Sequence, residues 1–143
     1  MKLVDIARGE LEVREKTGHN DGKRVEEYLA TVHLSKGNPW CAGFLSWIYK
    51  QGGYMQPRTG WSPALFPVSR RIKIPAPGTI FGIYFKSFGR IAHCGMVEKI
   101  RHSWIYSIEG NTNLMGGREG AGVYRRMRHI RTIQCFADWT GGS

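Results

Sequence analysis

No run in the sequence approaches the ~18 consecutive apolar residues of a membrane-spanning helix, so nothing in it reads as a transmembrane segment. There is no Cys-x-x-Cys pair, which weakens zinc-site and thioredoxin-like readings. Only three cysteines occur, at 41, 94 and 135, so at least one thiol stays unpaired within the chain. The first 15 residues alternate charged and apolar side chains without an uninterrupted apolar core. That pattern predicts no signal peptide and therefore synthesis in the cytoplasm. Internal repeats and low-complexity segments are absent. Acidic residues are scarce, with 11 Asp and Glu against 21 Lys and Arg, for a formal net charge of +10.

What is present fits one soluble globular domain over residues 1–143. A chain of this length buries roughly two-thirds of its unfolded surface, enough for a core without disulfides. Nineteen glycines and six prolines point to many turns between short strands. The positive charge favours polyanions: nucleic acid, anionic lipid, or the phosphate-rich polymers of a bacterial wall. Basic residues bunch at Arg70-Arg71 and across 125–131. A solvated basic face is the plainer account of these runs, and a docking surface the sharper one.

Periodicity separates the chain into two halves. Leu3, Ile6, Ala7, Leu11 and Val13 fall at helical spacing, predicting a first helix over 2–16. Val25, Tyr28, Leu29 and Val32 predict a second over 23–33. From Trp40 the residues are nearly all apolar up to Gly52-Gly53, which predicts a buried central helix. Residues 54–77 carry five of the six prolines and are expected to wrap the surface, with a helical turn near 62–66. After Gly78 the period drops towards two, and strands are predicted over 79–85, 92–100, 104–109, 122–128 and 132–136. Helices followed by strands argue for an α+β domain, with an antiparallel sheet of about five strands packed on the central helix.

Three segments suggest chemistry: 38–42 (Asn-Pro-Trp-Cys-Ala), 92–97 (Ala-His-Cys-Gly-Met-Val) and 108–112 (Ile-Glu-Gly-Asn-Thr). A thiol nucleophile must be ionised near neutral pH, and the unpaired N–H groups of a helix N-terminus favour its anion. Cys41 is expected at such a position. A thiolate also needs an imidazole in reach, and the imidazole needs a partner to fix its tautomer. His93 near a strand start, with Glu109 or Asn111 at the end of the next strand, supplies both types of group. Taken singly, a cysteine in an apolar helix is usually a small core residue and a strand histidine usually structural. Their combination in this order of elements is what points to a site.

The segment 38–47, Asn-Pro-Trp-Cys-Ala-Gly-Phe-Leu-Ser-Trp, closely resembles the nucleophile motif of CHAP-type amidohydrolases, within the papain-like NlpC/P60 group. His-Cys-Gly-Met-Val-Glu at 93–98 resembles the family's histidine strand, and Ile-Glu-Gly-Asn-Thr-Asn at 108–113 its strand end with further catalytic groups. Gly-Gly-Arg-Glu-Gly at 116–120, leading into Val123-Tyr124-Arg125-Arg126, is similar to the family's turn into the next strand. The resemblance spans roughly 5–136. It implies a papain-like fold, Cys41 as nucleophile, His93 as general base and acid, and Glu109 as the group that orients His93. It implies that Asn111 polarises or helps orient the site, while which of Glu109 and Asn111 touches the imidazole stays open. An oxyanion hole is expected from the Cys41 N–H and one further donor not identified. The sequence departs from the pattern at Cys94, where valine is usual, and at Thr79, where aspartate is common. Some members bind calcium ahead of the cysteine; Asn20-Asp21 offers one carboxylate towards the roughly six oxygen ligands calcium prefers, so neither metal nor cofactor is expected.

The implied reaction is cleavage of an amide in the peptide part of bacterial peptidoglycan, by an N-acetylmuramoyl-L-alanine amidase or an endopeptidase. Trp40, Trp47, Trp61 and Trp104 are candidate groove walls, Trp40 and Trp61 foremost, although most tryptophans anchor cores. The expected site of action is the periplasm or wall, reached through a holin, as a lysin, or a secretion machine, as an effector with an immunity protein. On a thin wall the basic surface would stand in for a binding domain. Two rival classes remain. A catalytically silent phage or wall-anchoring domain would share the fold. A basic nucleic-acid-binding module would explain the charge, but no RNP, KH or helix-turn-helix signature accompanies it.

Overall fold

The computed structural model describes residues 2–112 and 120–141. Helix α1 (Lys2–Arg8) is followed by α2 (Lys23–Thr31) and α3 (Cys41–Gln51). A 3₁₀ turn at Ser62–Leu65 leads to β1 (Arg71–Ile72), β2 (Ile80–Phe85), β3 (Arg90–Arg101), β4 (Trp104–Thr112), β5 (Gly122–His129) and β6 (Cys135–Ala137). The strands form one antiparallel sheet in the order β1-β6-β2-β3-β4-β5. The domain is α+β as expected, with six strands rather than about five. The addition is β1, two residues from the proline-rich stretch that pair with β6. The resemblance noted for the turn at 116–119 falls outside the described residues.

The first helix ends at Arg8, well short of residue 16. Gly9 follows it, a residue that costs about 1 kcal/mol in a helix interior. The apolar Val13 is then taken by the sheet: Val123 N–H donates to its carbonyl at 3.1 Å, and Glu15 N–H donates to Ala121 at 2.7 Å. Strand-edge pairing overrides the helical spacing of Leu11 and Val13.

Helix α3 lies at the centre. Phe44, Leu45, Ile48 and Tyr49 are all fully buried, and each such side chain contributes roughly 1.5–3 kcal/mol through burial. They pack between Leu3, Val4 and Ala7 of α1, Tyr28 and Leu29 of α2, and the sheet residues Ile80, Met96 and Ile108. The opposite sheet face carries a smaller cluster of Phe81, Val97, Ile105 and Phe136. Gly110 lets α3 lie close against the sheet, because a Cβ there would meet Phe44 at 2.8–2.9 Å. The start of α3 is thereby held against the end of β4, beside Glu109 and Asn111.

Trp40 belongs to this core. It is fully buried, stacks on Tyr28 at 5.5 Å and donates its indole N–H to Glu15 at 2.7 Å. The expectation that it walls a groove is therefore corrected: its flat apolar face is more favourably buried against Tyr28 and Phe44. Thr79, where a carboxylate was the family's usual choice, closes its turn with its own hydroxyl, donating to Ala76 O at 2.6 Å and accepting from Ala76 N–H at 3.1 Å.

Candidate functional site

Cys41 is the first residue of α3, after Trp40 with its non-helical ψ of 16°. The Trp40 side chain makes no capping hydrogen bond, so the first N–H groups and the positive end of the helix dipole favour an anion at Cys41. Asn111 secures the same place from the sheet. It sits at φ 60°, a left-handed conformation that asparagine tolerates better than most residues. With its amide oriented to satisfy its neighbours, Oδ1 accepts from Trp40 N–H at 3.2 Å and Nδ2 donates to Gly120 O at 3.1 Å and Asn20 Oδ1 at 3.3 Å. Asn111 therefore fixes the helix start rather than the imidazole.

His93 on β3 is fully buried. Its Nε2 lies 2.8 Å from Glu109 Oε1, which settles that Glu109 is the group orienting the ring. Nδ1 has no hydrogen-bond partner among the described residues. It is the ring nitrogen left over for Cys41, whose ionisation and that of His93 influence each other. Glu109 is fully buried too and is held by three groups: His93, the Ser107 hydroxyl at 2.6 Å, and the two guanidinium nitrogens of Arg128. The register leaves room for this, since Gly95 faces the carboxylate and a Cβ there would meet Glu109 Cγ at 2.6 Å.

The ionisation of the site follows from these contacts. Burial opposes charge on Glu109, but Arg128 and then His93 outweigh it and hold the carboxyl at about 2. Burial also opposes protonation of His93, yet Cys41 and Glu109 raise it to about 9. The Cys41 thiol is lowered well below the ordinary thiol range, first by the Cys94 thiol beside it, against burial, and then by His93 and Ser62. Cys94 moves the other way through burial and the neighbouring Cys41, and burial raises Cys135. These shifts favour a thiolate beside an imidazolium, backed by a carboxylate and a guanidinium. Such a constellation performs nucleophilic attack and returns a proton to a leaving group.

A cavity of about 470 Å³ opens onto Cys41, with Asn38, Pro39, Trp61, Ser62 and Arg90 among its walls. Cys41 is 5 % exposed. Trp61 lines this cavity and is 54 % exposed. Trp104, on the far hairpin, packs on His129, and Trp47 packs on Tyr28; neither lines the cavity.

Three participants escape sequence reasoning. Arg128 lies in a basic run that reads as solvated surface, and only the alternation of β5 combined with its pairing to β4 would have turned it towards Glu109. Ser62 lies 3.4 Å from Cys41 Sγ and 3.9 Å from Cys94 Sγ; its position at the start of a proline-marked turn is the sole signal. Arg90 precedes His93 by three positions. The basic run 125–131 is also less uniform than expected, since Arg125 pairs with Glu98 and Arg128 with Glu109. Among the described residues no helix is long and apolar enough to cross a membrane. No protein-family model matches the chain, and no curated protein matches it in sequence.

Proposed function

We propose that the chain is a cysteine amidohydrolase of the CHAP type, with a papain-like fold, that cleaves amide bonds in the peptide part of bacterial peptidoglycan. The observation that carries this reading is His93, which contacts Glu109 through Nε2 and leaves Nδ1 for Cys41. The chain order of helix-borne cysteine, strand histidine and strand-end Glu and Asn agrees with the motif resemblance.

In the proposed reaction the Cys41 thiolate attacks the amide carbonyl. The oxyanion forms near the start of α3, where the Cys41 N–H has no intrahelical acceptor. His93 gives its Nδ1 proton to the departing amine, and the acyl group remains on Cys41 as a thioester. The neutral imidazole then takes a proton from water, which attacks the thioester and restores the thiolate. Glu109 stays ionised throughout and stabilises the imidazolium; Arg128 keeps Glu109 charged in a fully buried place. Action in the periplasm or wall, after release as a lysin or delivery as an effector, belongs to the same proposal.

The test is a panel of purified sacculi with different stem and cross-bridge chemistry, digested by the protein and analysed by mass spectrometry. Fragments with new amino termini at one amide support the reading and name the bond. No fragments from any wall type would remove the substrate class.

A further inference from the structure

We infer that Arg90 is a specificity-determining residue, which binds a free carboxylate on the acyl side chain of the substrate close to the scissile amide. The inference rests on Cys41 being the nucleophile and adds the chemical class of group that its cavity selects.

The cavity wall is chemically lopsided. Val32, Leu34, Pro39, Trp61 and Ala92 make it apolar, and, with Cys41 also on the wall, Arg90 is its one basic lining residue. No acidic side chain lines it, and among the described residues none forms an ion pair with Arg90. The guanidinium is nonetheless held in place. It stacks over the Trp61 ring at 4.2 Å and over Phe88 at 5.4 Å, and Nη1 donates to Ile91 O at 3.0 Å. Stacking on aromatic faces leaves the edge of a guanidinium open, and that edge matches a carboxylate in two parallel hydrogen bonds. An arginine already fixed in position loses less freedom on binding than a mobile one.

Position sets the reach. Arg90 and His93 are on the same strand, and at about 3.3 Å per residue their backbones are on the order of 10 Å apart. A carboxylate bound by Arg90 would therefore belong to the residue at, or next to, the scissile carbonyl. The apolar remainder of the wall suits a small aliphatic neighbour. A peptide with an alanine-like residue beside a free side-chain or α-carboxylate fits; its amidated counterpart leaves the guanidinium without a charged partner.

The experiment reads the cavity without assuming a natural substrate. Rates of Cys41 alkylation by iodoacetate and by iodoacetamide are measured, with the modified cysteine identified by mass spectrometry. Wild type, Arg90→Gln and Arg90→Lys are compared, each checked for fold by near-ultraviolet circular dichroism. The expected result is a preference for the anionic reagent that falls about tenfold in Arg90→Gln and is largely kept in Arg90→Lys. In parallel, muropeptides with the glutamate carboxyl free or amidated are compared as substrates. The expectation is a kcat/KM on the order of tenfold or more in favour of the free acid, carried by KM and lost in Arg90→Gln. An unchanged reagent ratio in Arg90→Gln, or equal slowing of both reagents, would overturn the assignment of Arg90 while leaving Cys41 as nucleophile. Failure of either reagent to modify Cys41 in the wild type would overturn the thiolate reading and this inference with it.

Discussion

Glu109 accepts from His93 Nε2 at 2.8 Å and is gripped at both oxygens by Arg128, so the imidazole is oriented by a carboxylate that is itself immobilised. Glu109→Gln keeps the shape of the side chain but removes its charge. It removes the negative charge that the Arg128 side chain, 17 % exposed, contacts at Glu109. Losing one partner of such a pair costs about 3 kcal/mol or more. Urea unfolding should register that loss, and an NMR titration should find the His93 pKa displaced below its value of about 9.

The same carboxylate sets an acid limit. Its value falls from an ordinary 4.5 to about 2 in the fold, so its contribution to stability is complete above about 4.5 and disappears as pH falls towards 2. At about 1.4 kcal/mol per pH unit, the contribution is roughly 3 kcal/mol. Thermal unfolding between those pH values should show a loss of this size in the wild type and a shallower one in Glu109→Gln.

Hydrolysis and alkylation should separate at high pH. In the proposed reaction protonated His93 releases the amine, and that proton is lost above about 9, whereas the Cys41 thiolate persists there. Amide cleavage is therefore expected to decline above about pH 9 while iodoacetamide still modifies Cys41. Parallel decline of both would mean that His93 serves only the thiolate.

Two tryptophans make opposite predictions. Trp40→Ala removes a fully buried ring and should cost about 3–5 kcal/mol of stability. Trp61→Ala, at a cavity wall and half exposed, should leave unfolding within about 1 kcal/mol of wild type and raise KM.

Much of this architecture is legible in the residues because it is written in local patterns. The unbroken apolar stretch after Pro39 specifies a buried helix, and the change to alternation after Gly78 specifies strands. His93 and Glu109 carry side chains whose chemistry is uncommon in a core, and Cys41 falls at the predicted start of the apolar helix, which draws attention to the three together. What local patterns do not carry is register. Arg128 and Glu109 meet only because β5 pairs with β4 in a particular alignment, and Gly95 is needed only because Glu109 lies across from it. Asn111 shows the same limit: its place two positions after Glu109 suggests a shared target, but its left-handed backbone turns it to Trp40. Ser62 and Arg90 reach the cavity through tertiary packing of a proline-rich segment against β3, which no spacing encodes. The early end of α1 has the same cause, a sheet edge that captures Val13.

The central claim is that Cys41, made anionic beside His93, is the nucleophile of an amide-cleaving enzyme. Digestion of purified peptidoglycan by wild type and by Cys41→Ala, side by side, tests it most directly. The account predicts defined soluble fragments, each ending at one kind of amide, from the wild type, and none from Cys41→Ala, with both proteins equally folded. Equal release by the two proteins would contradict it.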